Sequence, residues 1–148
     1  MADVKQLLLS QTSVITTGLN ALANNSLAIS SAFDNTIGAT GDGSLLCDIE
    51  LVVTYGTAAT ANTGCSVWFL QSQDGTNYED GGTGTTPKRT PDVVLAVDTV
   101  TTGQRLIRKS IPLPPGLFKV LLKNDGTGQA MAATGNTLKI RPYTARIV

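Results

Sequence analysis

The sequence contains no histidine. That absence excludes Ser-His-Asp and Cys-His nucleophile systems and any His-ligated zinc or iron. It also removes the commonest general base near neutral pH. Cysteine is scarce: Cys47 and Cys65 are the only two, and a pair of thiols without histidine cannot complete a zinc site. Charged residues are 15% of the chain, against about 25% in an average domain. Lys+Arg and Asp+Glu are both 11, so the formal net charge is zero, and no basic stripe of the kind that marks a nucleic-acid binder is visible. A near-neutral surface lacks the repulsion that keeps free proteins apart, which suits life in an assembly. No apolar run reaches the roughly 18 residues of a membrane span. Leu7-Leu8-Leu9 and Ala21-Leu22-Ala23 imitate a secretory leader, but Asp3 spoils its basic region and Ser10, Gln11, Thr12 and Ser13 interrupt its apolar stretch. The chain is therefore expected to be neither secreted nor membrane-bound, to bind no nucleic acid directly, to carry no cofactor or metal, and not to be an enzyme.

Thr, Gly, Ala, Asn and Ser fill the space left by charge, a mix that favours strands and turns. At 148 residues the chain is one ordinary domain that needs no disulfide or metal to hold a core. Residues 1–25 read as an N-terminal arm or short strand, with β-prone text at 13–17 and a turn at Ala23-Asn24-Asn25-Ser26. Leu27, Ile29 and Phe33 alternate along one strand face, followed by a Gly-rich loop through residues 38–43. Residues 45–55 carry the clearest signal. Leu45, Cys47, Ile49, Leu51, Val53 and Tyr55 point one way, with Asp48, Glu50 and Thr54 opposite. Residues 65–72 are apolar on both faces (Val67 and Phe69 against Trp68 and Leu70), as in a central strand or one covered by a partner. Further strands are predicted at 92–99, 104–111, 117–123, 130–133 and 137–143, with a proline-rich connector at 112–116 that cannot join a sheet interior. About eight strands spaced by turns, without a helix of ten residues, predict an all-β antiparallel β-sandwich over residues 26–148.

Three places invite chemistry. Asp74, Asn77, Glu79 and Asp80 crowd one loop, which suits either calcium or a turn whose Asp and Asn bond local backbone; the spacing is not that of an EF-hand, and the turn is the reading adopted. Two of these carboxylates could in principle serve as a glycosidase pair, but no aromatic-rich cleft accompanies them. The glycine runs are followed by no Gly-Lys-Ser/Thr and bind no phosphate by that route. Pro87-Lys88-Arg89 is a small basic patch that solvates a loop tip, Trp68 is expected in the core, and Cys47 and Cys65 are read as buried small hydrophobes, although a cross-strand disulfide is geometrically conceivable. Chain termini fray unless tied down. Val4, Leu7 and Leu9 near the start, and Ile147 and Val148 at the end, are expected to make intermolecular contacts.

Several segments carry a resemblance: LNALANNSLAISSAFDN at 19–35, LLCDIELVV at 45–53, VWFLQSQDGTNYEDG at 67–81, LPPGLFKVLLKNDGTGQ at 113–129 and NTLKIRPYTARIV at 136–148. Together they resemble the small capsid cement, or decoration, proteins of tailed bacteriophages. The resemblance implies a jelly-roll-like sandwich, made in the bacterial cytoplasm, that sits on the virion's capsid exterior. It implies a dimer or trimer bridging neighbouring major capsid protein subunits. Such a protein stabilises the assembled lattice because it binds only that state, with avidity from many weak contacts. No functional residue is carried over, since the matching segments are strand-and-turn text. The rival reading is a head–tail junction, tail or fibre module.

Overall fold

A strand that alternates apolar and polar residues buries one face, and the alternation from Cys47 to Val53 does so. In the computed structural model, which describes residues 4–37 and 43–147, strand β5 (Leu46–Val53) turns Cys47, Ile49, Leu51 and Val53 fully inward. The fold is an all-β sandwich of two antiparallel sheets. The other strands are β1 (Val4–Leu8), β2 (Thr12–Ile15), β3 (Leu27–Ile29), β4 (Phe33–Asn35), β6 (Gly64–Gln71), β7 (Val93–Ala96), β8 (Gln104–Pro112), β9 (Gly116–Asp125) and β10 (Thr137–Ile147). One turn of 3₁₀ helix at Thr17–Leu19 is the sole helical element among the described residues.

Sheet one has the order β1-β10-β5-β8 with β2 also beside β10, and sheet two the order β3-β9-β6-β7 with β4 also beside β9. The pairs are nested. β6 pairs with β7, β5 with β8, β3 and β4 with β9, and β1 and β2 with β10, as if one long hairpin had been wound round itself. Successive pairs alternate between the sheets, so the two inner faces meet in one core. Val67 and Phe69 of β6, Phe118, Val120 and Leu122 of β9, and Leu138 and Ile140 of β10 pack there against β5. Phe118 sits 5.1 Å from Phe33 and 5.4 Å, edge-on, from Phe69. Gly64 opens β6 where it runs against the backbone of Leu95 on β7, and a Cβ there would strike the Leu95 carbonyl.

Several sequence expectations change. The strand foreseen at 27–33 is two short ones, broken at residues 30–32. Its inward residue is Ala28, while Leu27 and Ile29 pack on the outer face of sheet two. Leu45 is exposed rather than inward. Residues 130–133 supply only a single bridge, Tyr55 to Met131. Of the two readings of the N-terminal segment, arm or short strand, the structure takes the second: β1 and β2 are sheet strands and Leu19 is fully buried. Ten strands stand among the described residues in place of about eight, because β1 gave no period-two alternation and the strand at 27–33 divides into β3 and β4.

Loops are fastened by buried asparagines. Asn124, with no exposed surface, donates to the Leu22 and Gln129 carbonyls at 3.0 and 2.8 Å, and its Oδ1 accepts from Tyr55 Oη and Thr127 Oγ1 at 3.0 and 2.7 Å. That is the full capacity of one amide. Asn136 accepts from the Thr54 N–H and donates to the Ala132 carbonyl, and Asn35 bridges Ser44 to Pro114. Asn124→Ala should cost about 3 kcal/mol, since each orphaned buried group costs roughly 1–3 kcal/mol. Thermal unfolding should fall by about 6–12 °C, read by circular dichroism. Adding Tyr55→Phe to that variant should cost almost nothing more, because its hydroxyl has already lost Asn124.

Candidate interaction surface

β10 has two kinds of neighbour along its length. From Thr137 to Tyr143 it pairs with β5, and from Tyr143 to Ile147 it pairs with β1. Beyond Tyr143 the chain's two ends therefore run on together as a two-stranded ribbon, past the last β5 partner. Val4 is in register with Ile147 and Leu7 with Thr144. The Leu9 N–H donates to the Pro142 carbonyl at 3.0 Å, and the Leu9 carbonyl accepts from Arg141 Nε at 3.2 Å. Four of the five residues expected to meet a partner, Val4, Leu7, Leu9 and Ile147, are thus brought together from opposite ends of the sequence; Val148 lies outside the described residues.

A row of residues (Leu8, Tyr143, Leu46, Pro112) crosses β1, β10, β5 and β8 at this end of the sandwich. Large apolar side chains stand exposed around it: Leu7 at 39%, Leu8 at 48%, Leu45 at 68% and Ile37 at 83%. Between Ile37, Leu45, Leu113 and Pro115 lies a groove of about 380 Å³. Ser44, 2% exposed, also lines it, and among the described residues its hydroxyl has no hydrogen-bond partner. Isolated exposed leucines are ordinary, but clustered ones mark a surface made for contact. Leu8, Leu45 and Ile37 were not anticipated as contact residues. Leu8 neighbours Leu7 and would be hidden in a strand with one buried face, whereas a two-stranded ribbon hides neither. The Gly-rich loop that follows Ile37 falls, at residues 38–42, outside the described residues.

The apolar outer face of β6 is covered by the chain itself. Trp68, Leu70 and Leu121 form a second buried cluster with Leu27, Ile29 and Tyr78, and residues 72–92 loop across it. Arg89, foreseen as part of a solvated basic patch, holds that loop down. Its guanidinium meets Asp92 at 2.9 Å, Glu79 at 3.2 Å and the Phe69 carbonyl at 2.7 Å, and its own carbonyl accepts from the Trp68 indole at 3.1 Å. Lys119 stands 4.3 Å from the Tyr78 ring centre. Asp74 is occupied by its own turn: the backbone N–H groups of Asn77 and Thr76 and the Asn77 amide hold its carboxyl far below the usual range.

The two thiols are free and buried. They face the core from different sheets, and Cys65 lies beside Tyr55, at the far end of β5 from Cys47, on the order of 20 Å away at ~3.3 Å per residue, which excludes a bond between them. Burial pushes both up to about 12. No protein-family model matches the chain, and no curated protein matches it.

Two outcomes follow. Arg89→Ala should release the 72–92 loop from Trp68, the only tryptophan; acrylamide quenching of its fluorescence should rise, with a stability loss of about 1 kcal/mol because the ion pairs are half exposed. The native thiols should resist a thiol reagent at neutral pH and react on denaturation. Both thiols ionise more readily when unfolded, so stability should decline as pH rises from about 9 towards 12, measured by urea titration of the wild type against Cys47→Ala/Cys65→Ala.

Proposed function

We propose that this protein is a virion structural protein that binds the outside of an icosahedral phage capsid and cements the major capsid protein lattice. The observation that carries the reading is the apolar end of the sandwich, where Leu7 and Leu8 stand exposed on the terminal ribbon and Ile37 and Leu45 line a groove with Leu113 and Pro115. A neighbouring chain laid in that groove would cover the apolar surface. The nested strand order supports a jelly-roll-like reading of the sandwich, an architecture used by viral capsid domains and by lectins. A rigid sandwich with one adhesive end suits a clamp between subunits. It gains its effect by mass action, because a ligand that binds only the assembled lattice stabilises that lattice. Hundreds of identical weak contacts then act together.

The deciding measurement is the copy number in purified virions, by mass spectrometry against the major capsid protein. A ratio near one, or a simple fraction with hundreds of copies, is expected. A few to a few dozen copies would move the protein to the neck, tail or fibres, and absence from particles would overturn the virion reading altogether. Leu8→Ser/Leu45→Ser should leave the fold intact and weaken particle binding at least tenfold, read by co-sedimentation with particles stripped of the protein.

A further inference from the structure

A sheet edge presents unpaired N–H and C=O groups, and native folds guard such edges with bulges, charge, proline or brevity. Most edges of this sandwich are guarded in one of these ways. Along β8 the register against β5 shifts between Cys47 and Ile49, and Ser110 takes a left-handed backbone (φ 59°). The same strand carries Arg105, Arg108, Lys109 and Pro112. In sheet two, β7 has four residues, and β3 and β4 have three each. β1 differs. Its five residues run in unbroken register with β10, with Lys5 as the one charge and no proline. Lys5, Gln6, Leu7 and Leu8 are all exposed. One bond fixes which backbone groups are open. The Leu9 N–H donates to the Pro142 carbonyl, so Leu9 turns its backbone groups to β10. Along an antiparallel strand these groups alternate in direction. Leu7 and Lys5 therefore also address β10, while Val4, Gln6 and Leu8 turn theirs away from it. Among the described residues β1 pairs with β10 alone, and no strand lies on its other side.

We infer that β1 is a docking edge for a second copy of this chain: it pairs antiparallel with its own counterpart about a two-fold axis at Gln6, joining two copies of sheet one into a continuous sheet. The strand is complementary to itself in this register. Gln6 exchanges both backbone bonds with its counterpart, and Val4 meets Leu8 on either side of the axis, so every outward residue of β1 is used. An axis at Lys5 or at Leu7 uses fewer of them. An axis at Lys5 also sets one lysine against the other, and like charges directly opposed are destabilising. With the axis at Gln6, Lys5 stands opposite Leu7 instead. The zero net charge of the chain adds no long-range repulsion between copies. The inference concerns the free protein and stands whether or not it binds a capsid.

The test uses the whole protein in solution. One short strand from each copy buries less than the roughly 800 Å² per partner of a stable complex, so the self-association is weak. Sedimentation velocity from about 5 to about 500 μM should show monomer giving way to dimer. Gln6→Pro removes an N–H that has no partner within the chain, and should weaken dimerisation at least tenfold with near-wild-type thermal unfolding. Gln6→Cys decides the matter if the proline also costs stability. Directly opposed residues of a hydrogen-bonded pair have Cα atoms about 5.5 Å apart, within disulfide reach. Mild oxidation should therefore link Gln6→Cys into a covalent dimer, while Thr102→Cys, in the exposed connection between β7 and β8, should stay monomeric. The native thiols are buried and do not interfere. A monomer across the whole concentration range, a dimer that Gln6→Pro leaves intact at wild-type strength, or equal cross-linking of the two cysteine variants would each overturn the inference.

Discussion

The architecture hangs on β10. This strand is the last in the chain, yet it lies inside sheet one, with β5 on one side and β2 and β1 on the other. Until it arrives, β5 has one partner and the N-terminal strands have none. Every hydrogen bond of β1 and β2 to the sheet is therefore a contact between the two ends of the sequence. Loop-closure entropy must be met before such contacts repay it, so folding is expected to be slow for a domain of this size. The inward side chains Leu138 and Ile140 make the arrangement stable once formed, since both are wholly removed from water.

The two sheets treat their outer faces differently. Sheet two has apolar residues outside as well as inside, and residues 72–92 bend back over Trp68 and Leu70 under the hold of Arg89. Sheet one carries charge on its outer face, where Arg105 and Lys139 meet Glu50, and ends in a ribbon with exposed leucines. The chain has thus spent a long loop on closing one face and left the other available. Read with the apolar end, that asymmetry gives the sandwich a direction.

The strands with one buried face were legible in the sequence because the side-chain period of two is a direct image of burial; 45–55 and 117–123 show it plainly. Residues 65–72 were legible as two-faced, but what covered the second face was not, since the covering loop is polar text that happens to carry Tyr78 and Arg89. The division of β3 from β4 was illegible: Ser30-Ser31-Ala32 looks like a strand and does not behave as one. The terminal residues expected to meet a partner were named singly. That they meet in one ribbon depends on register, which alternation does not encode.

The pairing of Val4 with Ile147 carries a topological consequence. Residues directly opposite in an antiparallel pair have Cα atoms about 4.5–5.5 Å apart, so the backbone very nearly forms a closed circuit. A linker of a few residues from one end to the other would complete it without disturbing either sheet. The chain could then be reopened at a polar turn such as that around Gly126, with every strand kept in its place but a new order of synthesis. In that permuted protein β10 would be made early and would lie next to β1 in sequence as well as in space, turning the longest-range pairing of the fold into a local hairpin.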